Sequence, residues 1–156
     1  ENLFAGRCDV YTTDASGLSS TRAAAADPGK WLVLPEIISK EPLGPLVRHG
    51  DHQWGDVVRW SLNAMIIAEE LGVTSENVDA QKSSNVPEVL RLLGVEGSYG
   101  EMLELAPDWA YQIIKQIGNY SESYEANVGP DTPLEIARGL NALWTQGGIL
   151  YAPPFR

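Results

Sequence analysis

The chain has 156 residues, enough for one domain with its own core. Apolar residues make up 44% and charged residues 21%, the balance of a globular protein and unlike a disordered or fibrous one. An excess of 21 Asp and Glu over 11 Lys and Arg leaves a formal charge of -10, which argues against phosphate backbones and anionic membranes as partners.

No apolar run reaches membrane-spanning length, and the first residues lack the basic start and apolar stretch of a signal peptide. The opening ENLF runs almost at once into a strand pattern, the beginning expected of a truncated or proteolysed chain. Cys8 is alone, so it makes no internal disulfide, and sites that need several thiolates are excluded.

Residues 8–13 (CDVYTT) carry side chains favoured in strands, and Asp14 follows directly before a helix-compatible stretch at 16–26 that Asp27-Pro28-Gly29 ends. WLVL at 31–34 reads as a brief buried strand closed by Pro35, and Leu46-Val47 as another, with a connector between Pro35 and Pro45. From Asp51, residues Trp54, Val57, Val58, Leu62, Met65 and Ile66 recur at helical spacing, with Asp51 as cap and Gly72 as stop. Weaker helices are expected at 75–82 and 86–93, followed by a glycine-containing loop at 94–100.

One helix is expected from about Asp108 to Gly129, carrying Trp109, Ile113, Ile117, Tyr120 and Tyr124 on one stripe, with Gly118 only weakening its middle. A last helix is expected from the capping box Thr132-Pro133-Leu134-Glu135 to Gly147-Gly148. The tail APPFR is extended by its prolines, and no internal repeat or heptad run is present. The pattern is a small α/β start with a helical remainder.

Asp14 lies where open α/β sheets place ligands, at the end of a strand and the start of a helix; the same position suits a plain helix cap. His49 and His52, with Asp51 between them, have no cysteine partner and no HExxH pattern, which reads as exposed surface and not as a metal or catalytic pair. Ser16-Gly17 and Ser19-Ser20 lack a nucleophile elbow, and Cys8 falls inside the first strand pattern. The aromatics Trp54, Trp60, Trp109, Tyr120 and Tyr124 recur at helix periodicity, as core residues do, and the sequon Asn119-Tyr120-Ser121 falls within an expected helix. No catalytic residue, metal site or cofactor is indicated.

The segment GRCDVYTTD at 6–14 resembles the stretch of polar-amino-acid-binding proteins that ends in the ligand aspartate. LPEIISKEPLGP at 34–45, GNY at 118–120, ARGLNALW at 137–144 and GGILYAPPFR at 147–156 are similar to the general L-amino-acid-binding subgroup of the periplasmic solute-binding proteins that serve polar amino-acid ABC transporters, bacterial solute-binding protein family 3. These stretches are spread along almost the whole chain, from residue 6 to residue 156.

The resemblance implies an α/β, type II periplasmic-binding-protein (Venus-flytrap) fold, mostly helical in this C-terminal part with a few short strands. It implies a ligand held between two lobes, with Asp14 pairing with its α-ammonium group, and delivery to an inner-membrane ABC permease without chemical change. Residues 1–40 would then be the end of the second lobe, 41–50 a strand and returning hinge, and 51–156 helices of the first lobe. The arginine for the α-carboxylate and the aromatics around the ligand side chain would belong to the part of the family sequence that has no counterpart here.

The resemblance also implies a partner cysteine in that other part. Cys8 would here be either an unpaired buried thiol or a link between two chains, and a homodimer of the shortened chain is a further expectation. Two other classes compete: a dehydratase on the same scaffold, for which no general acid is identifiable, and the sensing domain of a receptor. The expected partners are L-amino acids and the permease, in the periplasm, with no nucleic acid.

Overall fold

The computed structural model describes residues 2–40 and 42–156. Regular structure there is helical: α1 (Ala15–Ala23), α2 (His52–Glu70), α3 (Val78–Gln81), α4 (Pro87–Leu92), α5 (Tyr99–Met102), α6 (Trp109–Ile117) and α7 (Tyr120–Asn127). Single 3-10 turns occur at Pro28–Lys30, Gly139–Asn141 and Trp144–Gln146. By its contacts the chain divides into two units, Glu1–Gly44 with Glu125–Ala137, and Pro45–Tyr124 with Arg138–Arg156.

The second unit holds the main core. Helix α2 starts where expected because the Asp51 carboxylate accepts the Trp54 N–H at 3.1 Å, and it stops at Gly72, whose φ of 67° takes the chain out of the helix. Its Ala64, Ile66, Ile67 and Ala68 are buried, and it packs on α4 and α6, which supply Val89, Leu92, Trp109, Ala110 and Ile114. The small alanines let the helix backbones approach, while the branched side chains fill the space between them. Trp54, by contrast, is exposed and takes no part in this core.

The C-terminal tail is extended, and it is anchored as well. Its Phe155 is buried among Trp60, Tyr99 and Trp109, with ring centroids at 5.2, 5.4 and 6.1 Å. Aromatic rings at these spacings add to the area they bury.

The single helix expected over 108–129 is two helices. Gly118 adopts φ 92° and ψ -179°, which ends α6, and Asn119 restarts the chain. The Asn119 side-chain oxygen accepts from the Glu122 N–H at 3.0 Å, while the Glu122 carboxylate accepts from the Asn119 N–H at 2.8 Å. That is a reciprocal capping box. Asn119 is itself buried and donates to the Val73 carbonyl at 2.9 Å.

The last expected helix does not form. The Thr132 hydroxyl accepts from the Leu134 N–H at 3.2 Å, a turn contact, and Glu135 sits at φ 52° in the left-handed region. Its carboxylate goes to Arg22 at 2.7 Å in place of the capping position. The residues beyond it form irregular chain with two 3-10 turns and an isolated parallel bridge, Leu143 to Leu150.

The strands expected at 8–13, 31–34 and 46–47 do not form: among the described residues no strand is assigned, and the regular structure there is helical. The physical reason is the lack of a neighbour. A strand is held by backbone bonds to another strand, and no ladder joins these segments to one among the described residues. Their apolar side chains lie open, with Leu32 81% and Leu46 100% exposed.

Candidate ligand-binding site

In the first unit, Asp14 stands at the N-terminus of α1 with φ -59° and ψ 156°, extended where α1 begins. Its Oδ2 accepts from the Gly17 N–H at 2.7 Å and from the Ser16 hydroxyl at 2.5 Å, and its Oδ1 accepts from the Thr13 hydroxyl at 3.2 Å. Asp14 is therefore the helix cap that its sequence position also suits. The Ser16 hydroxyl, followed by the Gly17 amide, holds its carboxyl below the ordinary aspartate range, so it carries its charge at neutral pH.

The chain is small where it passes this carboxylate. A methyl group on Gly17 would lie 2.9 Å from the Thr13 side chain and 3.1 Å from the Asp14 oxygen. With Oδ2 taken twice and Oδ1 once, a carboxylate with about four lone-pair sites keeps capacity on Oδ1. Asp14 as a residue is half-buried.

The other sequence candidates separate from it. His49 and His52 are both exposed, on the turn before α2 and on its first position. No group of three metal-ligating side chains is found among the described residues. Cys8 is free and exposed, which removes the buried-thiol alternative and places it outside any strand. Trp109 is core, Trp60, Tyr120 and Tyr124 are half-buried, and Tyr120 and Tyr124 flank the Arg138 guanidinium at 5.3 Å each.

Two clefts went unread in the sequence. One in the first unit, about 480 Å³, is lined by Arg22, Ala23, Pro28, Gly29, Trp31, Pro133 and Glu135. The other, in the second unit, about 230 Å³, lies between α2 and the tail and is bordered by Ile67, Leu71, Trp144, Tyr151 and Phe155. Asp14 lines neither. The Arg22–Glu135 pair brings together residues 113 positions apart. No local spacing signals such a pair.

No protein-family model matches the chain. Among known proteins it is 56% identical over 157 residues to the glutamate/glutamine/aspartate/asparagine-binding protein BztA of Rhodobacter capsulatus, covering 100% of this chain and 46% of that protein. It is 55% identical over 156 residues to the putative amino-acid ABC transporter-binding protein YhdW of Escherichia coli, covering 99% of the chain and 46% of the relative. To the general L-amino acid-binding periplasmic protein AapJ of Rhizobium johnstonii it is 57% identical over 154 residues, covering 97% and 45%.

A solved structure, an ABC transporter periplasmic binding protein from Brucella ovis with glutathione bound, matches with a TM-score of 0.94 at 52% identity, over 99% of this chain and 49% of that one. The fold is therefore that of part of a periplasmic binding protein. The chain spans about half the length of the relatives it matches, and over almost its whole length it is similar to proteins named as amino-acid-binding or amino-acid ABC transporter-binding.

Proposed function

We propose that this chain is the C-terminal part of the solute-binding component of an ABC importer, which captures polar L-amino acids in the periplasm and passes them, chemically unaltered, to an inner-membrane permease. The observation that carries this reading is the end-to-end match, at 55–57% identity, to proteins named for amino-acid binding. In the complete protein the fold would be α/β and two-lobed, with residues 1–40 ending the second lobe, 41–50 forming a strand and returning hinge, and 51–156 giving helices of the first. The open apolar segments at 31–34 and 46–47 support a larger whole, because side chains such as Leu32 and Leu46 gain about 25 cal/mol per Å² once covered.

Within that reading Asp14 receives the α-ammonium group of the ligand. Its charge, its half-buried position and the spare capacity of Oδ1 support this, and a charge-assisted hydrogen bond is the strong kind. The cap and the contact do not compete, since they use different oxygens. The test is a thermal-shift screen of the complete protein against the L-amino acids, because a ligand that binds only the native state raises its melting temperature. Polar L-amino acids should raise it and their N-acetyl forms should not. No rise with any amino acid, or turnover of prephenate or arogenate, would overturn the assignment.

A further inference from the structure

Given that Asp14 receives the ligand's α-ammonium group, the reading on which this rests, we infer that Gly17 is a positioning residue for it. The missing side chain at 17 leaves the room in which Thr13 and Ser16 hold the Asp14 carboxylate over the first turn of α1. Three held atoms converge on this position. A Cβ on Gly17 would lie 2.9 Å from Thr13 Cγ2, 3.1 Å from Asp14 Oδ1 and 3.3 Å from Asp14 Oδ2. Both carboxylate oxygens and the Thr13 methyl group thus crowd the space that any other residue would need for itself.

The backbone does not ask for glycine here. Gly17 is the third residue of α1 and has no positive φ, so alanine fits its conformation and is the better helix former. Space is what singles it out. The Asp14 carboxylate is held at both oxygens: Oδ2 accepts from the Ser16 hydroxyl at 2.5 Å and the Gly17 N–H at 2.7 Å, and Oδ1 accepts from the Thr13 hydroxyl at 3.2 Å. These three donors fix the direction in which the group presents its charge, where an unheld aspartate turns broadly about its last torsion.

A methyl group at 17 upsets this arrangement without removing the charge. An approach of 2.9 Å between carbons is well inside their optimal separation of about 3.5–4.0 Å. Either Thr13 turns about its first side-chain torsion, which takes its hydroxyl from Oδ1, or the carboxylate swings off the helix. Thr13 is β-branched and stiff about that torsion, so the carboxylate shares in the movement. The N–H of residue 17 survives the exchange, and with it a donor for the cap. Alanine at 17 therefore keeps the negative charge and alters its direction, and a charge-assisted hydrogen bond weakens as its angle is lost.

The experiment is isothermal titration of the complete protein with L-glutamine, for Gly17→Ala alone, in an Asp14→Asn background and together with Thr13→Ser, with a thermal melt of each ligand-free protein. Gly17→Ala should weaken L-glutamine about tenfold. Its melting temperature should stay level or rise, as alanine inside a helix allows. In the Asp14→Asn background the same exchange should change Kd less than about twofold, because no charge is left to aim. Thr13→Ser removes the methyl group that the new Cβ would meet and keeps the hydroxyl, so Thr13→Ser/Gly17→Ala should recover at least about threefold of the loss. If Asp14→Asn loses affinity while Gly17→Ala binds within about twofold of the original, the role of Gly17 is overturned and the Asp14 contact stands. Equal loss in both backgrounds, or a loss that Thr13→Ser does not relieve, makes Gly17 merely structural and overturns it as well. Full affinity of Asp14→Asn, or no binding by the unaltered protein, removes the contact itself and the role of Gly17 with it.

Discussion

Arg138 Nη2 lies 3.0 Å from both carboxylate oxygens of Glu69, a residue 69 positions earlier in the chain. The Glu69 side chain is 8% exposed, and the same guanidinium donates to the Asn141 carbonyl and is flanked by Tyr120 and Tyr124. One planar cation thus ties α2, α7 and the start of the C-terminal segment together within the second unit. Arginine suits this place because its face stacks on rings while its edge donates in a fork.

Replacing Arg138 by Met keeps much of the volume but leaves the Glu69 charge nearly buried without its cation. The expected cost is about 3 kcal/mol, in the range for breaking a buried pair by removing one partner. Urea unfolding of Arg138→Met against Glu69→Gln/Arg138→Met checks this: the double variant should regain part of the loss, because its amide carries no charge to strand.

The Phe155 ring sits against three other aromatic rings. Phe155→Ala should therefore lower stability by about 3–5 kcal/mol, as a large buried side chain is exchanged for a cavity. The tail that carries it should become susceptible to carboxypeptidase, which mass spectrometry reads directly.

Gly118 has φ 92°, and a Cβ there would lie 2.7 Å from the Glu122 side chain. Gly118→Ala is expected to cost at least about 1 kcal/mol through the unfavourable backbone conformation. Asn119→Ala should cost about 1–3 kcal/mol, because it removes the cap of α7 and leaves the Val73 carbonyl without its donor. Thermal melts of the two variants measure both.

The Asp14 carboxyl titrates below its usual value, chiefly because of the Ser16 hydroxyl. Since the folded value is the depressed one, the stabilisation it gives α1 is complete above the unfolded pKa of about 3.9 and is lost as pH falls through the folded value. Ser16→Ala should raise the Asp14 pKa towards the ordinary aspartate value. Carboxyl 13C shifts followed through the acid titration give both numbers, and an unchanged pKa in the variant would contradict the cause assigned.

What the sequence disclosed was local. Helix α2 was legible at both ends because Asp51 and Gly72 act within a few residues of themselves. Helix α1 was legible for the same reason, through Asp14 and Gly17. The strands were not, because residues 8–13, 31–34 and 46–47 have strand-forming side chains but a strand also needs a partner, and none lies beside them among the described residues.

Two signals were outweighed by competing contacts. Asn119 and Glu122 spell a capping box inside an apparently continuous helix, and it overrides the apolar stripe that runs through Gly118. Thr132 and Glu135 spell another, which yields to the distant attraction between Glu135 and Arg22. Of the candidate site, Asp14 as the cap of α1 was visible by position, while the Arg22–Glu135 pair exists only once the chain has folded.

The most direct test of the account is the affinity of the complete protein for polar L-amino acids with Asp14 present and with Asp14→Asn. Asparagine caps helices about as well as aspartate, so α1 and the melting temperature of the free protein should change little while the charge is removed. The account predicts a loss of about 2–5 kcal/mol, thirtyfold or more in Kd, by isothermal titration. An Asp14→Asn protein that binds polar L-amino acids within about twofold of the original would contradict it.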